Sequence, residues 1–144
     1  MNSWRSNIFA WAELTPKHPV ADFDLFVIGG GSGGVACARR AASHGARVAL
    51  VEESRMGGTC VHRGCIPKKF LVYASHFKHD FEDAAGYGWS VGESRFDWPN
   101  MVAAKNTELA RLEGIYRRLL KDSGVTVIDG RGALLDSNSV AIGG

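Results

Sequence analysis

The chain alternates apolar runs with glycine-rich and polar stretches, and the earliest runs define its first elements. Asp24–Ile28 is a short apolar run that ends at glycine, and Arg47–Glu52 is a second such run. Both are predicted as buried parallel strands, since strands covered on both faces are apolar throughout. Gly31–His44 holds small and apolar positions and is closed by Gly45, which predicts a helix. Strand, helix and strand within about thirty residues predict a βαβ crossover unit.

The middle of the chain carries two further helical segments. Gly57–Ser75 is compatible with a helix, but Pro67 predicts that this helix begins later or is distorted there. Residues 76–96 combine glycines with aromatics, which indicates an irregular connection. Asp97-Trp98-Pro99 is typical of a helix start, and the helix is predicted to run to about Asp122. Its predicted apolar face consists of Met101, Leu109, Leu112, Ile115, Tyr116, Leu119 and Leu120.

Three short apolar segments follow and are predicted as strands. They are Val125–Ile128, Gly132–Leu135 and Val140–Ile142, with a polar turn at residues 136–139. Together with the crossover unit, they predict an α/β fold in which a parallel sheet is accompanied by an antiparallel β-meander.

Composition narrows the class of protein without identifying a function. The 144 residues, 45 % of them hydrophobic and 22 % charged, are typical of a single globular domain. A net charge of +2 does not favour nucleic acid or a membrane surface, and no apolar run approaches the length of a membrane span. Residues 1–21 lack the continuous apolar segment of a secretory signal. We therefore expect a disordered N-terminal extension over residues 1–21 and a domain over residues 22–144.

A glycine motif lies between the first predicted strand and helix. Gly29, Gly31 and Gly34 fit the pattern G-x-G-x-x-G, in which the glycines allow a tight turn, close approach of a pyrophosphate and close helix packing. Glu52 ends the second strand, where an acidic residue binds ribose hydroxyls and would repel the 2′-phosphate of NADP. The alternative is a glycine-rich turn without a ligand. Strand, helix and Glu52 together favour a Rossmann-like domain that binds a dinucleotide, FAD or NAD.

The cysteines are Cys37, Cys60 and Cys65, and an odd count without a secretory signal does not suggest an extracellular disulfide scaffold. Cys60 and Cys65 form a close pair, which indicates catalysis or metal binding. Zinc and iron–sulfur sites need further cysteines that the sequence lacks, so no metal is expected. A reversible disulfide is favoured, because a nearby helix start and Lys68 would stabilise a thiolate. Two structural thiols are the alternative.

The residues around this pair carry a resemblance to a known family. Gly57–Lys69, with the sequence GGTCVHRGCIPKK, closely resembles the active-site signature of the flavin-dependent pyridine nucleotide–disulfide oxidoreductases. Its Pro67-Lys68-Lys69 ending resembles the glutathione reductases, whereas dihydrolipoamide dehydrogenases and mercuric reductases usually have Pro-Ser-Lys. Gly29–Ala42 and Arg111–Gly124 resemble the same subgroup. The resemblance extends over Phe23–Gly144.

The resemblance implies a mechanism and a cofactor. NADPH would reduce FAD, the flavin would reduce a Cys60–Cys65 disulfide, and the resulting thiols would reduce glutathione disulfide. Cys60 would be the interchange thiol that attacks the substrate, and Cys65 would form the charge-transfer contact with the flavin. This division of labour is chemically sound, since flavins accept hydride and thiolates exchange with disulfides.

The resemblance also assigns binding residues. Arg39 and Tyr116 match positions that bind glutathione, as does Ser32; the alternatives are an exposed helical charge for Arg39 and a core residue for Tyr116. Catalysis is assigned to Cys60, Cys65 and Lys68, the last near the reactive edge of the flavin. The expected FAD contacts are Gly29, Gly31, Ser32, Gly33, Gly34, Glu52, Thr59, Cys60, Lys68 and Gly132.

Two departures from the family pattern stand out. His62 and Arg63 lie where the family commonly has Asn and Val, and they change the charge around Cys60. Cys37 lies on the first predicted helix where a small residue is usual, and we interpret it as a packing residue.

The resemblance further implies parts that lie outside these residues. They are an NADPH domain, the rest of the FAD domain and a histidine–glutamate base supplied by the partner subunit of a homodimer. The chain is therefore expected to be an incomplete, truncated N-terminal segment of an FAD-binding domain from a cytoplasmic enzyme, inactive alone, with apolar surface exposed on its long helix near Tyr116. The alternatives are a dihydrolipoamide dehydrogenase-like reductase and a stand-alone flavin or thiol redox module.

Overall fold

A parallel sheet and the helices packed on it form the body of the molecule. The computed structural model describes residues 21–143, so the extension predicted for residues 1–21 lies outside the described residues except for Ala21. The sheet contains β1 (Leu25–Ile28), β2 (Val48–Glu52) and β3 (Thr126–Asp129) in the order β1-β2-β3. Both neighbouring pairs are parallel. The predicted βαβ unit is thus confirmed.

The central strand β2 organises the core. Val48, Ala49, Leu50 and Val51 are all buried, as expected of a parallel strand covered on both faces. Leu50 is paired with Val27 on one side and with Val127 on the other. The core cluster consists of Val35, Ala38, Val48, Leu50, Met56, Leu120 and Val125.

Helix α1 (Ser32–Ser43) crosses between β1 and β2 and contributes Val35 and Ala38 to this core. It ends just before Gly45, which has a left-handed φ of 89°. Glycine is the residue that adopts this conformation most readily, as predicted for the end of this helix.

The segment with the cysteines differs from the prediction at Pro67. Two helices occupy it, α2 (Gly58–His62) and α3 (Cys65–Asp83), and Pro67 lies within the first turn of α3. The first intrahelical bond of α3 runs from the Lys68 N–H to the Gly64 carbonyl. A helix tolerates proline before that bond, because the N–H that proline lacks would have had no intrahelical partner.

The connection predicted as irregular over residues 76–96 is helical in its first half. Helix α3 continues to Asp83 and a 3-10 turn spans Ala84–Tyr87, after which residues 90–97 have no regular structure. Helix α4 (Trp98–Asp122) then starts as predicted, with the Asp97 carboxylate accepting the Asn100 N–H at 2.9 Å.

The last two strands, β4 (Arg131–Leu134) and β5 (Val140–Gly143), form an antiparallel pair. All three predicted C-terminal strands are therefore present, but the first of them, β3, joins the parallel sheet. The antiparallel part is consequently a two-stranded ribbon beside the sheet.

Exposed apolar surface is concentrated on α3 rather than on α4. Helix α3 has no buried residue, whereas α4 buries Leu109 and Leu120. Around Tyr116, helix α4 packs on its neighbours and its apolar side chains are buried or half-buried, so exposed apolar surface there stays a prediction. Among residues 21–143, no helix is both long and apolar enough to cross a membrane. The large exposed apolar side chains of α3 are Leu71, Val72, Tyr73, Phe77 and Phe81.

We expect Gly34→Ala to destabilise the fold by about 1–3 kcal/mol, the usual cost of overpacking. A methyl group at Gly34 would overlap the Gly29 carbonyl oxygen and press on Val27. Gly33→Ala is the matched control, since a methyl group there meets nothing within 4 Å. Replacing a helical glycine should stabilise α1 by up to about 1 kcal/mol. Urea denaturation of both variants checks this, and equal midpoints would contradict it.

Candidate functional site

The glycine loop leaves β1 and enters α1 at the carboxyl edge of the sheet. Gly29 has a φ of 101°, a conformation that side chains rarely adopt, and its N–H donates to the Val51 carbonyl at 2.8 Å. Gly34 lies so close to the Gly29 carbonyl that no side chain fits there. These are the turn and the close helix packing that the sequence predicts for the motif.

The outer face of the loop is open. A side chain added at Gly31 or Gly33 would meet nothing within 4 Å, so this face has room for a ligand against bare backbone. No side chain caps α1, and the first intrahelical bond is made by the Val35 N–H to the Gly31 carbonyl. The N–H groups of Ser32 and Gly33 precede that bond and lie at the positive end of the helix dipole. This arrangement fits a pyrophosphate.

Glu52 lies beside the loop at the end of β2. Its carboxylate accepts the Gly30 N–H at 2.6 Å and the Ser54 N–H at 2.8 Å. Each carboxylate oxygen has a second acceptor position, so Glu52 can also accept ribose hydroxyls. The side chain therefore holds the loop, a structural contribution that the sequence did not indicate.

The glycine loop and the start of α2 touch through backbone atoms. The Gly57 N–H donates to the Gly30 carbonyl at 2.8 Å, and a methyl group at Gly58 would come within 2.8 Å of the Gly31 Cα. The two glycines before Cys60 thus permit an approach that side chains would block. A dinucleotide bound on the loop would therefore lie directly beside the segment that carries the cysteines.

The two cysteines lie on different helices. Cys60 is half-buried in α2, and Cys65 is the exposed first residue of α3; both are free thiols. Hydrogen bonding to the Cys60 sulfur, and next partial desolvation, raises the pKa of the Cys65 thiol above its ordinary value. The positive charge of Lys68 lowers the same pKa. The two thiols therefore influence each other, and Cys60 is the group with the largest effect on the pKa of Cys65.

The metal alternative has no support in the described part of the chain. Within residues 21–143, no three His, Cys, Asp or Glu side chains are grouped so that they could hold an ion.

A charged cluster that sequence reasoning missed lies behind α2. Its members, Arg55, Met56, His62 and Glu113, are called the Glu113 cluster below. The Glu113 carboxylate accepts Arg55 Nε at 2.9 Å and the Met56 N–H at 3.3 Å. The His62 Nε2 lies 2.9 Å from the Met56 carbonyl and 4.0 Å from a Glu113 oxygen. A signal was present, since Glu113 interrupts the apolar face of α4 between Leu109 and Tyr116.

The residues matched to substrate binding are not grouped around the cysteines by direct contacts. Arg39 donates from Nε to the Ser123 Oγ at 3.2 Å, which ties α1 to the end of α4. Tyr116 packs against the core cluster. Each therefore has a structural contact besides any role in binding.

Thr59 and Lys68 are exposed, on either side of the cysteine pair in sequence. Gly132 lies on β4, where a methyl group would come within 2.5 Å of Val51. A side chain there would thus press on the apolar side chains of Val51 and Ile28, and contact of Gly132 with an adenine stays a prediction.

The sequence of residues 23–143 matches the family model described as pyridine nucleotide-disulphide oxidoreductase. The match covers nearly the whole described chain, including the glycine loop, Glu52 and both cysteines. The chain belongs to this family.

Within the family, the chain is similar to glutathione reductases. It is 54 % identical over 123 residues to glutathione reductase from Burkholderia cepacia and 51 % identical over 122 residues to that from Nostoc sp.. It is 48 % identical over 134 residues to the chloroplastic/mitochondrial glutathione reductase of Pisum sativum. These matches cover 85 % of the chain but only 27 %, 27 % and 24 % of the relatives. The chain thus spans about a quarter of their length.

We expect Cys60→Ala to speed alkylation of Cys65 at a fixed pH near 8, because the substitution removes the hydrogen bond that raises the pKa of Cys65. Lys68→Met should slow the same reaction, because it removes a charge that lowers this pKa. Iodoacetamide labelling across pH, with Cys65 followed by peptide mass spectrometry, measures both effects. Cys37→Ser is the background for all variants, and identical pH profiles would contradict the expectation.

Proposed function

We propose that this chain is the FAD-binding and redox-disulfide part of an NADPH-dependent glutathione-disulfide reductase that maintains the thiol redox balance of the cell. The family membership and the similarity to glutathione reductases support the class of reaction. The proposed substrate rests on those relatives together with Pro67-Lys68-Lys69, Arg39 and Tyr116.

The observation that carries the proposal is the backbone contact between the glycine loop and the cysteine segment. The Gly57 N–H bonded to the Gly30 carbonyl keeps Cys60 within a few residues of the open face of the loop. A nucleotide at that face and a disulfide at Cys60–Cys65 would therefore belong to one site.

The residues present fit FAD. The open backbone at Gly31, Ser32 and Gly33 suits the phosphates, and the free acceptor positions of Glu52 suit the adenosine ribose. Gly29 and Gly34 shape this loop, while Thr59, Lys68 and Gly132 are proposed to lie along the cofactor. Bound FAD would supply two-electron chemistry, taking a hydride from NADPH and reducing the disulfide.

The cysteines then carry out thiol–disulfide exchange. The Cys60 thiolate attacks one sulfur of glutathione disulfide, which forms a mixed disulfide and releases a first glutathione thiolate. The Cys65 thiolate attacks the Cys60 sulfur, which restores the Cys60–Cys65 bond and releases a second glutathione. Two electrons thus pass to the substrate, and the released thiolates take up protons. Lys68 favours the Cys65 thiolate through its charge.

Arg39, Tyr116 and Ser32 are the proposed glutathione contacts. Arg39 keeps its terminal guanidinium nitrogens free of described partners while Nε binds Ser123, so it can still pair with a glycine carboxylate of glutathione. The wider proposal includes NADPH binding by a further domain, a homodimer and a cytoplasmic location. Residues 22–144 would then be the first segment of the FAD domain, after an extension over residues 1–21.

For the cofactor, we expect the wild-type chain to quench the fluorescence of added FAD on binding. Glu52→Gln should weaken binding about tenfold or more, since hydrogen bonds to a charged group contribute about 1.5–3 kcal/mol each. Glu53→Gln is the matched control. The Glu53 side chain is exposed, and its ion pair with Arg131 Nε is long, at 3.8 Å. Fluorescence titration checks this. A wild-type chain that leaves FAD fluorescence unchanged, or equal affinities of the two variants, would argue against the assigned site.

For the cysteines, we expect the reduced chain to convert glutathione disulfide to two glutathiones and to form the Cys60–Cys65 bond. Cys65→Ser should stop at the mixed disulfide on Cys60, and Cys60→Ser should lose most of the rapid reaction. Intact-mass spectrometry after mixing distinguishes these species, with Cys37→Ser as the background. A glutathione adduct on Cys65 in preference to Cys60 would reverse the proposed roles.

A further inference from the structure

The Glu113 cluster connects α4 to the short segment that carries Cys60. Two of its contacts are to Arg55 and the Met56 N–H, directly before α2, and a third group, His62, ends that helix. Met56 is fully buried, and only 8 % of the His62 side chain and 19 % of the Glu113 side chain are exposed. The carboxylate thus binds the residues before α2 and lies 4.0 Å from His62 at the end of that helix, with Cys60 between them.

Hydrogen bonds within residues 55–62 connect the parts of the segment that contact Glu113. His62 Nε2 donates to the Met56 carbonyl, since a carbonyl oxygen can only accept, and the Gly58 N–H donates to the Arg55 carbonyl at 3.2 Å. Within residues 21–143, His62 Nδ1 is buried without a hydrogen-bond partner. The ring is therefore fixed through Nε2, and a Glu113 carboxylate oxygen lies 4.0 Å from that atom.

The cluster is specific to Cys60. Cys65 begins α3, which has no buried residue, and no member of the cluster lies on that helix. Arg117 adds a second cation at 3.9 Å from Glu113 and pairs with Asp129 at 2.8 Å, which extends the support to β3. The contacts of Glu113 therefore support the segment that carries Cys60, whereas Cys65 lies on a helix without such a contact.

The geometry points to Glu113 as a positioning residue for Cys60. It holds residues 55–62 in the conformation in which Cys60 meets Cys65, and so favours closure of the disulfide. This inference rests on the proposed function, in which the two cysteines form a reversible disulfide. The assignment also gives a role to His62, which departs from the family pattern.

The test is the oxidation equilibrium of the Cys60–Cys65 pair in glutathione redox buffers, measured on the Cys37→Ser chain. Glu113→Ala should make the disulfide about tenfold easier to reduce, which is about 30 mV for a two-electron couple. Glu113→Gln keeps an acceptor for the Met56 N–H and should show a smaller shift in the same direction. Glu108→Ala is the matched control, because Glu108 lies on α4 and its one polar partner among residues 21–143 is Arg111.

The outcomes separate the two claims. A wild-type pair that does not oxidise reversibly overturns the proposed function and this inference with it. A reversible wild-type pair whose equilibrium is the same in Glu113→Gln, Glu113→Ala and Glu108→Ala overturns only the positioning role. If Glu113→Ala does not fold, two other variants decide the question. They are Glu113→Gln and His62→Phe, the second of which removes the hydrogen bond to the Met56 carbonyl. Unshifted oxidation equilibria in both variants overturn the inference, and shifted equilibria support it.

Discussion

A backbone hydrogen bond from the Gly57 N–H to the Gly30 carbonyl joins the nucleotide loop to the cysteine segment. Glycines permit this contact, since a side chain at Gly30 would collide with Met56 and one at Gly58 with the Gly31 Cα. The glycine loop is hydrogen-bonded to β2, through the Gly29 N–H and through the Glu52 carboxylate. The cysteine segment is therefore indirectly fixed to the most buried strand of the sheet. The candidate site depends on this chain of short contacts.

Much of this architecture could be predicted from the sequence. The apolar run of β2, the small residues of α1 and the Asp97 cap of α4 are local signals, and each element lies where its signal predicted. The glycine spacing indicated dinucleotide binding, and the resemblance of Gly57–Lys69 to a known signature indicated the family. The strand, helix, cap and glycine signals are readable because local conformation favours those residue types at those positions.

The errors came from features that local patterns do not determine. Pro67 was expected to delay or distort the helix, but its effect depends on its distance from the helix start, which follows Gly64. Glu113 was overlooked because a carboxylate within an apolar face has meaning only beside its partners, Arg55 and the Met56 N–H, which are distant in sequence. The second contact of Glu52, with the Gly30 N–H, was invisible for the same reason.

Helix α3 carries Cys65 but buries none of its residues, whereas Cys60 is attached to the packed body of the molecule. A movement of α3 as a body would therefore change the separation of the two sulfurs, as rotation of their side chains also would. Side-chain rotation is a picosecond-to-nanosecond process, but collective helix motion belongs to the microsecond-to-millisecond range. Contacts that cover α3 in a larger assembly would thus set how fast the two sulfurs can meet, without touching either of them.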